Sequence, residues 1–152
     1  MDIYRKLRQL IRLKTEAPIH QLVEHHDLAI LEQDLRDTQA LIKQHKLQLA
    51  GTRADIKLIA QDCDHRQQTI TRLEESALAA MHENHEEAEN LASHIAEEET
   101  YLVEQKDRLR QLRDAEQRML REITQAARLV QQSQHQLIVL RANESLHGKR
   151  GG

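Results

Sequence analysis

His82-Glu83-Asn84-His85-Glu86 separates two stretches whose apolar residues follow one seven-residue pattern. From Leu28 to Ala80 the a positions are Leu28, Leu35, Ile42, Leu49, Ile56, Cys63, Ile70 and Ala77, and the d positions are Leu31, Thr38, His45, Thr52, Ile59, Arg66, Leu73 and Ala80. After the break the a positions are Ala88, Ile95, Leu102, Leu109, Glu116, Ile123, Val130 and Leu137, and the d positions are Leu91, Glu98, Gln105, Leu112, Met119, Ala126, Ser133 and Leu140. Both arms hold the register for about eight heptads, which points to coiled-coil helices rather than isolated amphipathic ones. Folding back at Asn84 sets residue i opposite roughly 168 minus i, so that each a position meets a d position across the seam. The reading is an all-α fold: an N-terminal amphipathic helix followed by a long antiparallel coiled-coil helical hairpin with its turn near 82–86, each arm roughly 80 Å long.

Composition agrees. The 152 residues include no Phe or Trp, two Tyr, one Pro and four Gly, so a thick aromatic core is excluded and a narrow aliphatic seam is what remains. The formal charge is −3, but residues 1 to 16 carry five cations, Arg5, Lys6, Arg8, Arg12 and Lys14, against Asp2 and Glu16. That uneven placement says more than the total. A single cysteine, Cys63, excludes a disulfide framework within the chain and reads as a small seam residue in a reducing compartment. No run of 18 apolar residues offers a membrane span, and the N-terminus lacks the apolar core of a secretory signal.

Residues 1–17 read as a basic amphipathic helix. On a helical wheel Ile3, Tyr4, Leu7, Leu10 and Ile11 fall within an arc of roughly 120°, with Arg5, Arg8 and Arg12 beside it and Lys6 at the other edge. Taken alone, this stripe suits two seats equally: against the hairpin, or in a membrane interface with the cations facing anionic headgroups. Pro18 ends the helix. Residues 18–27 read as a connector with Asp27 as the N-cap of the first arm, residues 28–143 as the hairpin, and residues 144–152 as a disordered tail.

Polar residues on the seam set the register. Under the mirror pairing Thr52 faces Glu116, and Arg66 falls next to Glu98, so costly polar seam positions meet one another. In the turn, made of His82, Glu83, Asn84, His85 and Glu86, Asn84 is the residue best able to adopt a left-handed conformation and so to reverse the chain. Between Arg72 and Lys106 lie ten glutamates and no Lys or Arg, which makes the tip an acidic cap. The His and Glu residues of the turn do not follow the His-Glu-x-x-His order of a zinc site. No Gly-rich phosphate loop, nucleophile triad or paired-carboxylate site is present, so no enzyme activity, cofactor or metal is expected, and the lone Lys149-Arg150 pair is too little for nucleic-acid binding.

Ile30-Leu31-Glu32-Gln33-Asp34-Leu35-Arg36-Asp37-Thr38-Gln39 resembles the start of the long first hairpin helix of the phage shock protein A family, which includes the vesicle-inducing protein of plastids and belongs to the ESCRT-III superfamily. Met1-Asp2-Ile3-Tyr4-Arg5-Lys6-Leu7 resembles that family's amphipathic N-terminal helix, and Ala77-Leu78-Ala79-Ala80-Met81 with Leu91-Ala92 resembles its hairpin tip. The resemblance covers residues 1 to about 143 and implies a bacterial, cytoplasmic protein, peripheral on the inner face of the cell membrane, that assembles and remodels membranes under envelope stress. It tips the first segment toward lipid, with Leu7, Leu10 and Ile11 inserted and Arg5, Lys6, Arg8 and Arg12 on phosphates. Family members continue into further helices that reach neighbouring subunits, whereas this sequence ends at Gly152. The expectation is therefore a homo-oligomer, or a short form that co-assembles with a longer paralogue. The alternative is a soluble coiled-coil regulator whose hairpin binds and inhibits an AAA-type transcription activator.

Overall fold

The computed structural model describes residues 25 to 150, with side chains from 28 to 146. It is all-α. Two helices, α1 (His25–Glu83, 59 residues) and α2 (His85–Arg150, 66 residues), take up every described residue except Asn84. Every a and d position named above is buried or half-buried, and none is exposed. The faces left over are rich in Glu, Gln, Arg and Lys, strong helix formers that cost little at exposed positions.

Two boundaries differ from the sequence reading. Asp27 lies inside α1 and is not its N-cap, because the helix already includes His25 and His26. No Gly or Pro separates those residues from the packed Leu28, so the helix extends back by most of a turn. Residues 144 to 150, read as a disordered tail, continue α2. Between Leu140 and Ser145 nothing breaks a helix, and propagation costs less than stopping. The N-terminal amphipathic helix and the remainder of the connector fall outside the described residues.

The described helices belong to two compact units: unit 1 comprises Met1–Leu49 and Arg118–Gly152, and unit 2 comprises Ala50–Gln117. In unit 1, Leu28, Leu31, Leu35, Ile42 and Leu49 of α1 form one core cluster with Ile123, Ala126, Val130 and Leu137 of α2. Each fully buried Leu or Ile there contributes about 1.5–3 kcal/mol. Thr38 is also buried, and its hydroxyl donates to the Asp34 carbonyl at 2.7 Å, so it leaves no unmet donor on the seam. Glu32 of α1 pairs with Arg141 of α2 at the surface.

In unit 2 the two helices run antiparallel. Thirty-two residues of unbroken helix would separate Arg66 from Glu98 by about 48 Å, yet their side chains are 2.9 Å apart. The apolar seam is thin: Cys63, Ile70 and Leu102 are buried, with Ile59 and Ile95 packed against them. Ala80 and Ala88, four residues before and after Asn84, are buried as well, small side chains at the end of the pair where the chain reverses. Gly51 sits in α1 with a helical φ, and open space surrounds the position its Cβ would take.

Candidate functional site

A strongly polar centre on the described seam is built around Arg66, a d position of α1. Its Nε donates to the Asp62 carboxylate at 3.0 Å, one turn earlier on the same helix. Its Nη1 donates to Glu98 across the seam at 2.9 Å. The guanidinium also lies over the Tyr101 ring, 3.7 Å from the centroid, a stacking that Arg makes and Lys does not reproduce. His94 stands 3.9 Å from the second Glu98 oxygen. The hydrogen bond to Asp62, opposed by partial burial and helped by Glu98, raises the Arg66 pKa above its ordinary value. A base with a raised pKa contributes its stability in full below the unfolded-state value and loses it only as pH rises past the folded one, so Arg66 holds this centre throughout the neutral range.

Glu116, the other carboxylate on the seam, is 4.0 Å from the Nε of Arg53. The sequence pairing put Thr52 opposite Glu116. The ion pair is made by the next residue along α1, whose longer side chain reaches across from the edge of the seam. Thr52 itself is half-buried.

At the turn, His82, Glu83, Asn84, His85 and Glu86 are all exposed. The reversal needs one residue. Asn84 ends α1 by donating its N–H to Ala80 O at 2.8 Å and starts α2 by accepting from the Ala88 N–H at 3.2 Å. Its side-chain Oδ1 accepts from the Glu87 N–H at 3.3 Å, the geometry of an N-cap. No described non-glycine residue has a positive φ, so the left-handed conformation expected for Asn84 is not used; capping by the side chain replaces it. Glu86 and Glu87 in the first turn of α2 complement its N-terminal dipole. Among the described residues no three His, Cys, Asp or Glu side chains converge as metal ligands.

The lipid-facing residues expected from sequence, Ile3, Tyr4, Arg5, Lys6, Leu7, Arg8, Leu10, Ile11 and Arg12, lie outside the described residues. The units differ sharply in charge: unit 1 contains 14 cations and 9 acids, unit 2 contains 8 and 16, for formal charges of +5 and −8. Sequence reasoning had located the acidic tip but not Tyr101 above Arg66. The available signal was position, since Tyr101 stands one turn beyond Glu98 at the g position that flanks it. Among the described residues no helix is long and apolar enough to cross a membrane.

Comparison with family models, curated proteins and solved structures finds no match for this chain.

Proposed function

We propose that this chain is a peripheral membrane-binding scaffold of the phage shock protein A and ESCRT-III type, in which an antiparallel coiled-coil hairpin presents a basic amphipathic helix to anionic lipid. The observation that carries the reading is the segregation of charge: five cations beside an apolar stripe within residues 1 to 16, against a unit 2 of formal charge −8. Near an anionic leaflet each Lys or Arg contributes about 1 kcal/mol, and the field falls off within a Debye length. The first segment is drawn to such a surface and unit 2 is repelled from it. One short helix without Phe or Trp binds weakly, and copies joined through their hairpins, or with a longer paralogue, turn weak contacts into firm attachment through avidity.

Co-sedimentation with vesicles rich in phosphatidylglycerol tests this. The full chain is expected to pellet with anionic but not with neutral vesicles, to release as salt rises, and to lose binding on Leu7→Glu plus Ile11→Glu. Binding indifferent to both substitutions would overturn it. The second reading, a soluble regulator that captures an AAA-type activator, draws support from the exposed Leu78 and Met81 of unit 2; it expects partner capture that survives the Leu7→Glu plus Ile11→Glu change.

A further inference from the structure

Charged residues are spread densely along this chain, with one exception. Residues 129–140 hold no Asp, Glu, Lys or Arg over twelve positions, and elsewhere no such run exceeds seven. The inner half of the run is accounted for, since Val130, Ser133 and Leu137 are buried and Leu129 and Leu140 pack against the unit 1 cluster. The outer half is not. Gln131, Gln132, Gln134, His135, Ile138 and Val139 are all exposed, Ile138 by 65% and Val139 by 46%. In a chain with 31% charged residues, an outer helix face ordinarily carries several of them. Their depletion is the compositional mark of the core of a protein contact.

The same face continues beyond the run at both ends. In steps of three and four, Thr124, Ala127, Gln131, His135, Ile138, Ala142 and Ser145 fall within an arc of roughly 80° on a helical wheel. Every one is exposed, and all belong to unit 1. Leu146, 59% exposed, lies at the edge of the arc. The Thr124 hydroxyl donates to the Leu120 carbonyl at 2.8 Å, so it needs no partner from outside. Arg128 and Arg141 border the arc on opposite sides. The Gln, His, Thr and Ser of this face are too polar for the acyl boundary of a membrane, which takes large apolar side chains.

The face is its own complement. Turned antiparallel about a two-fold axis between residues 134 and 135, residue i meets roughly 269 minus i, so that Ala127 meets Ala142, Thr124 meets Ser145 and Gln131 meets Ile138. Small side chains then oppose small ones at four points, which lets the two helix axes approach closely. The stem of Gln131 lies on Ile138, and Gln134 and His135 of both copies gather at the axis, where amide and imidazole can donate to and accept from one another. In an antiparallel pair each edge meets the same edge of its copy. Arg128 and Arg141 share a height but sit on opposite edges, so they do not collide. We propose that this face of α2 is a self-association surface, through which two copies of the chain pair antiparallel about His135. The inference rests on the part of the functional reading in which copies join through their hairpins, and it names the surface that joins them. A face about 32 Å long and one helix wide belongs with the small interfaces of weak, reversible complexes.

Sedimentation equilibrium of the full chain from about 5 to 500 µM, the range in which an interface of this size dissociates, tests the proposal. A reversible monomer–dimer equilibrium is expected. His135→Lys and His135→Glu each set like charges at the axis, and each alone should raise the dissociation constant about tenfold. Mixed in equal amounts, the two variants should dimerise again, because the two-fold then sets Lys against Glu. His135 is exposed, so helicity by circular dichroism should be retained in both. Cysteine pairing gives an independent measurement. In a Cys63→Ala background, Ala127→Cys and Ala142→Cys chains should form a disulfide only when mixed, since two copies of either position lie about 22 Å apart along the pair, beyond disulfide reach. A monomer throughout, a dimer indifferent to both charges, no rescue on mixing, or disulfides formed as readily in unmixed samples would overturn the proposal. Vesicle sedimentation of the same proteins separates this inference from the membrane reading. Binding to anionic vesicles by a chain that never dimerises removes this surface alone, and a dimer that ignores lipid removes the membrane function alone.

Discussion

Units 1 and 2 are built from the same two helices on the same heptad, yet they solve different problems. Unit 1 gathers nine buried residues into one aliphatic cluster; the corresponding cluster of unit 2 has three, one of them Cys63, and its seam includes Arg66, Glu98 and Glu116. Leu and Ile repeated every seven residues bury well, but a slip of one heptad sets Leu against Leu again and costs little. Arg66 has no such second choice, because its hydrogen bond to Glu98 and its stacking on Tyr101, both on the facing helix, exist in one alignment only. Stability is concentrated in unit 1 and register in unit 2.

The largest expected effect separates the two. Leu35 is 4% exposed, and Leu35→Ala should cost about 3 kcal/mol, read by urea denaturation. Leu109 holds the equivalent a position in unit 2 but is only half-buried, and Leu109→Ala should cost about 1 kcal/mol. Equal losses would break the comparison. Next is the cap at the turn. Asn84→Ala removes the acceptor of the Glu87 N–H and should cost about 1 kcal/mol, whereas Asn84→Gly should cost only a few tenths.

A gain of similar size is available at Gly51. Its helical φ and the free space around its Cβ direction mean that Gly51→Ala should stabilise by about 0.5–1 kcal/mol, visible as a higher melting temperature. The smallest effect on stability is the most informative about register. Replacing the pair by Arg66→Met plus Glu98→Leu should leave the melting temperature nearly unchanged, since apolar side chains of similar volume substitute for a part-buried ion pair at little net cost. It should nevertheless broaden the distance distribution between spin labels placed at the exposed Asp55 and Arg113. A distribution as narrow as that of the parent would show that register is held elsewhere.

Much of this was legible because a seven-residue repeat is periodic and a mirror point is local. The a and d positions from Leu28 to Leu140 needed only counting, and Arg66 could be placed beside Glu98 once Asn84 was taken as the centre. What was not legible depends on side-chain reach and on hydrogen bonds that leave no pattern. That Arg53 reaches Glu116 from the edge of the seam left no trace in the heptad, because it depends on the length of the side chain. Asn84 can be left-handed or can cap a helix with its side chain, and only the geometry decides between them. The extension of the helices back to His25 and on past Asn143 follows from the absence of Gly and Pro in residues 25–27 and 144–147, which is weaker evidence than a signal present.

The contrast in charge between the units carries the functional account, and hydrogen–deuterium exchange of the full chain with and without phosphatidylglycerol vesicles tests it most directly. New protection should appear in residues 2–16, while amides of unit 2 gain none. Protection that appears in unit 2 and leaves residues 2–16 unchanged would contradict the account and move the lipid-binding surface to the acidic hairpin.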